Sequence, residues 1–217
     1  ESEELYRLVR RLCPHAIVDD RLDLPGVGDI KTPEQYQPRE WVTVDGERVV
    51  WEACQTFSGS WGYHRDEATW RGTDEVIRTL IDCVGKGGNL LLNVGPTARG
   101  ELDARVLDRL QGIGNWMKRH SRAIYGCTAA PAEFKAPANC KLTWNPQRRR
   151  LYVHVCAWPY KHLHLDGEAA ARLEYAQLLN DASELKFTTS ASPAGTTATI
   201  SLPVPQPDAV VPVFAVM

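Results

Sequence analysis

The sequence predicts an α/β unit, a truncated (partial) β/α barrel over residues 1–128, followed by an all-β unit, an antiparallel β-sandwich over residues 129–217. Three observations carry this expectation. Helix-like and strand-like segments alternate through the first part, which favours parallel strands covered by helices. The strand-like runs are continuously apolar and end in polar residues, as parallel strands buried on both faces do. Near Ala129-Ala130-Pro131 the pattern changes to short alternating runs separated by turn residues. A complete eight-stranded barrel takes about 250 residues, so the stretch before that change accounts for only part of one.

Taken in order, Leu5, Leu8, Val9 and Leu12 fall at helical spacing after an acidic first turn, and Pro14 stops the helix. Ala16-Ile17-Val18-Asp19 is predicted as a strand delivering Asp19, Asp20 and Arg21 to a polar rim. Residues 22–48 carry Pro25, Gly26, Gly28, Pro33 and Pro38 without periodicity and predict a long ordered loop. A second strand is predicted at Val49–Ala53. Thr73-Asp74-Glu75 opens a helix marked by Val76, Ile77, Leu80, Ile81 and Val84, and Gly85, Gly87 and Gly88 end it. Asn89–Asn93 is the third strand, and Leu102, Val106, Leu110, Ile113 and Met117 mark an amphipathic helix. In the second part, strands are predicted around Leu142–Trp144, Leu151–Trp158, Ala171–Tyr175, Leu185–Thr189, Ala198–Leu202 and Val210–Val216.

A formal net charge of -2 gives no basic footprint for nucleic acid. No apolar run approaches the roughly 18 residues that span a bilayer, so no membrane partner is expected. Residue 1 is Glu rather than Met, which predicts a preceding segment in the gene and leaves localisation open. Six cysteines lie far apart with no C-x-x-C pair, favouring reduced, apolar packing, with a Cys127–Cys140 disulfide left open.

The most informative run is Gly87-Gly88-Asn89-Leu90-Leu91-Leu92-Asn93-Val94-Gly95-Pro96-Thr97. Together with Trp51-Glu52-Ala53-Cys54, Ser60-Trp61-Gly62-Tyr63 and Ala123-Ile124-Tyr125-Gly126, it resembles the second half of the catalytic domain of glycoside hydrolase family 29, the retaining α-L-fucosidases. The resemblance covers residues 1–126 closely and the remainder loosely. It implies substrates that are saccharides containing L-fucose, and no metal or cofactor. The family's nucleophile is an Asp in a motif close to Trp-Phe-Asp-Gly, just before a helix like residues 2–12; no such motif occurs in this sequence.

Retaining glycosidases use two carboxyl groups about 5–5.5 Å apart, one nucleophile and one acid/base. By resemblance, Glu34 in Lys31-Thr32-Pro33-Glu34-Gln35-Tyr36 occupies the acid/base position. Glu52 is a second candidate, because a carboxylate within an apolar strand is costly unless paired or working. Asp20 is a candidate replacement nucleophile, on proximity alone. Arg21 matches an Arg that contacts fucose, and Trp61 matches an aromatic that packs on the sugar's apolar side. Trp51 and His64 complete the predicted sugar-binding set. Asn89 and Asn93 are read as strand-end hydrogen-bonders. His162 and His164 share a strand face without a third ligand, and no metal site is expected.

Two functions follow. One is a retaining fucosidase-like hydrolase releasing terminal L-fucose from glycoconjugates or aryl fucosides, its site completed in a homo-oligomer because a half barrel leaves open edges. The other is a non-catalytic fucose-binding or structural remnant.

Overall fold

A computed structural model describes residues 1–193 and 195–216 as a mixed α/β chain with several antiparallel sheets. Helix α1 (Ser2–Leu12) carries Glu3 and Glu4 in its first turn and Arg10 and Arg11 in its last, complementing the helix dipole at both ends. None of its residues is buried, and Leu12 is 67% exposed. Arg10 ties it to the next segment by donating to the Ala16 carbonyl (2.8 Å) and to Asp29 (2.6 Å).

The strand predicted at residues 16–19 is reduced to a single parallel bridge, Asp19 to Ile30. A turn at Pro14-His15 and another after Asp20 leave room for no more. The predicted long loop contains two ordered pieces. Strands β1 (Thr43–Val44) and β2 (Glu47–Arg48) form a hairpin whose Asp45 and Gly46 both have positive φ, as an Asp-Gly hairpin turn requires. Residues 30–35 run extended and parallel to β3 (Glu52–Thr56), bridging Lys31 to Trp51 and Glu34 to Cys54. The rung from position 33 cannot form because proline has no N–H, which splits this pairing into separate bridges.

Strand β3 begins three residues later than predicted, since Val49 and Val50 are taken up by the hairpin and by Lys31. Helix α2 (Thr73–Gly85) leads to β4 (Asn89–Asn93), which pairs with β3 in parallel, Glu52 to Asn89 through Thr56 to Asn93. Helix α3 (Ala104–His120) starts where the Asp103 side chain accepts the Arg105 N–H.

This small parallel sheet has two unlike faces. Trp51, Ala53 and Cys83 of α2 form a dry cluster with Leu90, Trp41 and Val42 packed against it. Buried Gln55 shares this side, receiving Arg71 Nη1 at 2.6 Å and donating to Gln37 at 3.0 Å. The alternate residues Glu52, Cys54, Asn89 and Leu91 lie on the other face, where Leu91 is 49% exposed.

Beyond residue 128, strands β5 (Cys140–Asn145), β6 (Arg150–Val155), β7 (His162–Asp166), β8 (Ala176–Leu178), β9 (Phe187–Ser192), β10 (Gly195–Ser201) and β11 (Val213–Val216) form two antiparallel sheets, ordered β5-β6-β11-β8 and β7-β10-β9. Leu151, Val153, Leu163, Leu165, Ile200 and Phe214 from both sheets share one core. The strand predicted at Ala171–Tyr175 is instead the end of a short helix, α4 (Glu168–Ala171), and the turn after it; Gly167 enters that helix at φ 68. Pairing starts only at Ala176.

A second core joins the helices to the four-stranded sheet through Ile77, Ile81, Trp116, Tyr152 and Val213. Within it Trp116 stacks on His120 (4.7 Å) and lies 6.5 Å from His154. Thr143 Oγ1 donates to the Ala123 carbonyl (2.7 Å), so it accepts from His154 Nε2 at 2.9 Å, leaving Nδ1 bare and unpartnered. Asp82 of α2 crosses to β5 by pairing with Lys141 as well as with Lys86 (2.5 Å). All six cysteines are free thiols, including Cys127 and Cys140, and Cys13 is exposed. Among the described residues no helix is long and apolar enough to cross a membrane.

Candidate functional site

Parallel pairing decides which side chains meet. Register places Glu34 beside Cys54, and Cys54 beside Leu91, so these three occupy one level of the open face. Glu52 sits on the same face one level below, next to Asn89. Arg21 reaches across from the adjoining segment: its guanidinium forms an ion pair with Glu34 and donates to Thr32 Oγ1 (2.7 Å) and to the Thr32 carbonyl (3.2 Å). The pairing with Glu34 raises the Arg21 pKa further above its ordinary value. Cys54 lies within electrostatic reach of Arg21, Glu34, Glu52 and Asp19, and burial pushes its thiol up. Two of the three predicted carboxylates, with Arg21, are therefore gathered around one point on the open face.

Asp20 is engaged otherwise. Its Oδ1 accepts from the Thr32 N–H (3.1 Å) and hydroxyl (2.7 Å), and its Oδ2 faces Lys31 Nζ at 3.4 Å. Burial acts to raise its pKa, but Thr32 and Lys31 outweigh this and hold it below the usual carboxylate value. Both oxygens are engaged by residues 31 and 32, so Asp20 clamps this segment beside the Arg21–Glu34 pair. Lys31 and Thr32, which make this clamp and orient Arg21, were not singled out in the sequence; only the parallel register brings them to Asp20.

Trp61 is half-exposed on a loop held to the end of β4: Asn93 Nδ2 donates to the Trp61 carbonyl (2.7 Å) and to Thr56 Oγ1 (3.2 Å). Glu67, also absent from the sequence-derived set, closes this loop by accepting from Thr69 N–H (2.8 Å) and Ser60 Oγ (3.2 Å), with the Thr69 N–H first in lowering its pKa. Trp51 is a correction: it is 0% exposed and belongs to the core behind the sheet, with no surface to offer a sugar. His64 is exposed and borders a space of about 10 Å³ with Phe57, Trp70 and Gly95, room for a water and not for a sugar. His162 is exposed on β7, and His164 pairs with Thr199 Oγ1 at 3.1 Å. Larger hollows, about 510 Å³ beside Trp116 and about 600 Å³ beside Trp144, lie elsewhere.

Gly95 locks the aromatic loop in place, because a Cβ there would lie 2.6 Å from the backbone of Gly62 and Tyr63. Gly95→Ala is expected to cost about 1–3 kcal/mol by overpacking a contact that only backbone movement relieves. Urea denaturation measures it, and a change below about 0.5 kcal/mol, the surface-substitution range, would show that the loop yields freely.

Residues 1–122 match the family described as Alpha-L-fucosidase. The chain belongs to that family. An α-L-fucosidase of Dictyostelium discoideum is 44% identical over 111 residues, which is 50% of this chain and 24% of that protein. Human tissue α-L-fucosidase is 31% identical over 170 residues, 76% of this chain and 35% of its own length. Among solved structures, α-L-fucosidase isoenzyme 1 from Paenibacillus thiaminolyticus aligns with a TM-score of 0.87 at 31% identity, covering 100% of this chain and 53% of that one. The α-L-fucosidase from Vibrio sp. strain EJY3 gives a TM-score of 0.84 at 25% identity, covering 98% of this chain and 37% of that one. The chain thus spans about half or less of the fucosidases it matches.

Proposed function

We propose that this chain carries the acid/base side of a retaining α-L-fucosidase site, built on part of a β/α barrel over residues 1–128. The observation that supports it best is the Arg21–Glu34 pair on the open strand face, at the polar ends of parallel strands where barrel enzymes hold their chemistry. Arg21 is the sugar-orienting cation. Its planar donors suit ring and hydroxyl oxygens, and a fucosyl group that takes them releases Glu34. Once freed, Glu34 takes up a proton from solvent, gives it to the departing glycosidic oxygen as that bond breaks and, left as a carboxylate, removes a proton from the water that attacks the glycosyl intermediate. Trp61 offers a flat apolar surface to the sugar. Glu52, one level deeper, orients a hydroxyl or the acid. The nucleophile is not assigned to a residue of this chain.

The test is release of nitrophenol from nitrophenyl α-L-fucoside. Glu34→Gln is expected to lower kcat about 10²–10⁴-fold, the range of general acid/base catalysis, with partial rescue by azide or a better leaving group. Asp20→Asn is expected to lower stability more than turnover. Unchanged turnover in Glu34→Gln would remove the acid/base assignment. The engagement of Glu34 by Arg21 supports a second reading, a fucose-binding remnant; calorimetric binding of fucose without turnover would select it.

A further inference from the structure

We infer that Thr32 is a positioning residue for sugar binding: it holds one edge of the Arg21 guanidinium, so that the cation keeps its place while its Glu34 partner is exchanged for sugar oxygens. This rests on the site reading above and gives a role to a residue that reading leaves out. The backbone is the first observation. Lys31 exchanges hydrogen bonds with Val50 and Glu52, and the Pro33 carbonyl accepts the Cys54 N–H, each at 2.9 Å. Thr32, between them, turns its N–H and C=O the other way, where both find partners. Asp20 Oδ1 accepts its N–H at 3.1 Å, and Arg21 Nη2 donates to its carbonyl at 3.2 Å.

The hydroxyl is the second. It has one hydrogen to give and lone pairs to offer. That hydrogen goes to Asp20 Oδ1 at 2.7 Å, so the oxygen meets Arg21 Nε, also 2.7 Å away, as an acceptor. Asp20 thereby aims the lone pairs of Thr32 at Arg21. The root of the arginine is fixed as well, because its own N–H donates to Asp19 Oδ1 at 3.1 Å.

The donor inventory of Arg21 is the third. A guanidinium carries five N–H donors in one rigid plane; Nε–H and one from Nη2 go to Thr32 and one from Nη1 goes to Glu34, which leaves two of the five. Two contacts to one residue fix the plane, whereas a single contact to Glu34 does not. The Arg21 and Glu34 side chains are 42% and 41% exposed, so a saccharide can reach the pair. It can take the Glu34-facing donor together with the spare ones while the guanidinium stays still. Without the Thr32 hydroxyl the long side chain is free to follow the carboxylate, a charged acceptor that neutral sugar oxygens do not match in strength.

The experiment compares wild type, Thr32→Val, which keeps the branched shape and the backbone groups, and Thr32→Ser, which restores the hydroxyl. Side-chain NMR of the isotope-labelled chain follows exchange of the Arg21 Nε–H with solvent. It should be about tenfold faster or more in Thr32→Val, as for loss of a hydrogen bond to a charged group, and close to wild type in Thr32→Ser. With nitrophenyl α-L-fucoside, KM should rise about tenfold in Thr32→Val for the same reason, with kcat little changed, and recover in Thr32→Ser. Simple loosening of the segment would instead reduce the amount of native protein, lowering kcat at constant KM. Equal Nε–H exchange in wild type and Thr32→Val, a loss confined to kcat, or no recovery in Thr32→Ser overturns the inference. A chain that binds the fucoside by calorimetry without cleaving it removes the hydrolase reading, and Kd then takes the place of KM. A chain that cleaves it with the same KM in wild type and Thr32→Val removes the inference and leaves the hydrolase reading standing. A chain that does neither overturns both.

Discussion

Trp51→Ala is expected to destabilise the protein by about 3–5 kcal/mol, the range for emptying an aromatic site in a core, enough to leave little native protein at physiological temperature. Trp51 is fully buried and is the largest such side chain. Its indole covers Gly88 so closely that a Cβ there would lie 2.2 Å from the ring. The neighbours Ala53 and Cys83 are small and sit on a strand and a helix already bound to other elements, so they cannot collapse into the space. One opposing effect is visible: the indole N–H has no hydrogen-bond partner, a standing cost that truncation removes. Trp51→Phe, which keeps a ring and discards that N–H, is therefore expected to lose much less than Trp51→Ala. Guanidinium denaturation of both variants measures this. Equal losses would mean that ring volume is not what holds α2 to the sheet.

The second large effect is acid destabilisation centred on His154. Burial drives its pKa down to about 3, with His120 adding to the shift. His120 is lowered as well, burial outweighing its contacts with the Trp116 carbonyl and Asn180. Both rings are neutral in the fold, so their contribution is fully present above the unfolded value of about 6.5 and is lost as pH falls from there. For His154 each pH unit below that value costs about 1.4 kcal/mol, roughly 2–3 kcal/mol at pH 4.5. Carboxylates held low, such as Asp82 between its two lysines, add their loss only nearer pH 4 and below. His154→Phe, which removes the titrating ring and keeps a flat side chain near Trp116, should flatten the Tm profile between pH 6.5 and 4.5. Parallel profiles for variant and wild type would locate the acid sensitivity elsewhere. Asn180 bears on this site: its Oδ1 lies 3.3 Å from His120 Nε2 while its Nδ2 is unpartnered.

Much of the first part was legible because its signals are local. Glycines at 85, 87 and 88 bracket the end of α2 and the start of β4, and the acidic turn and Pro14 bracket α1. The pairing of residues 30–35 with β3 was not, because Pro33 and a polar composition disguise an extended segment and the partner lies 20 positions away. The Asp45-Gly46 hairpin did carry a local signal, masked by the prolines around it. At the site, resemblance pointed to Arg21 and Glu34, and the structure joins them. The Asp20 clamp depends on register, which no periodicity reveals. Trp51 misled for the opposite reason: its motif suggested a sugar contact, but strand alternation turns it away from Glu52 and Cys54 and into the core.

The free thiols offer a convenient gauge of folding. Burial raises the thiols of Cys54 and Cys83, that of Cys127 to about 11 and that of Cys140 to about 12, keeping them in the unreactive protonated form, whereas Cys13 stands in solvent. A chromogenic disulfide reagent should thus react quickly with Cys13 and slowly with these four, and the slow phase reports how often the molecule opens.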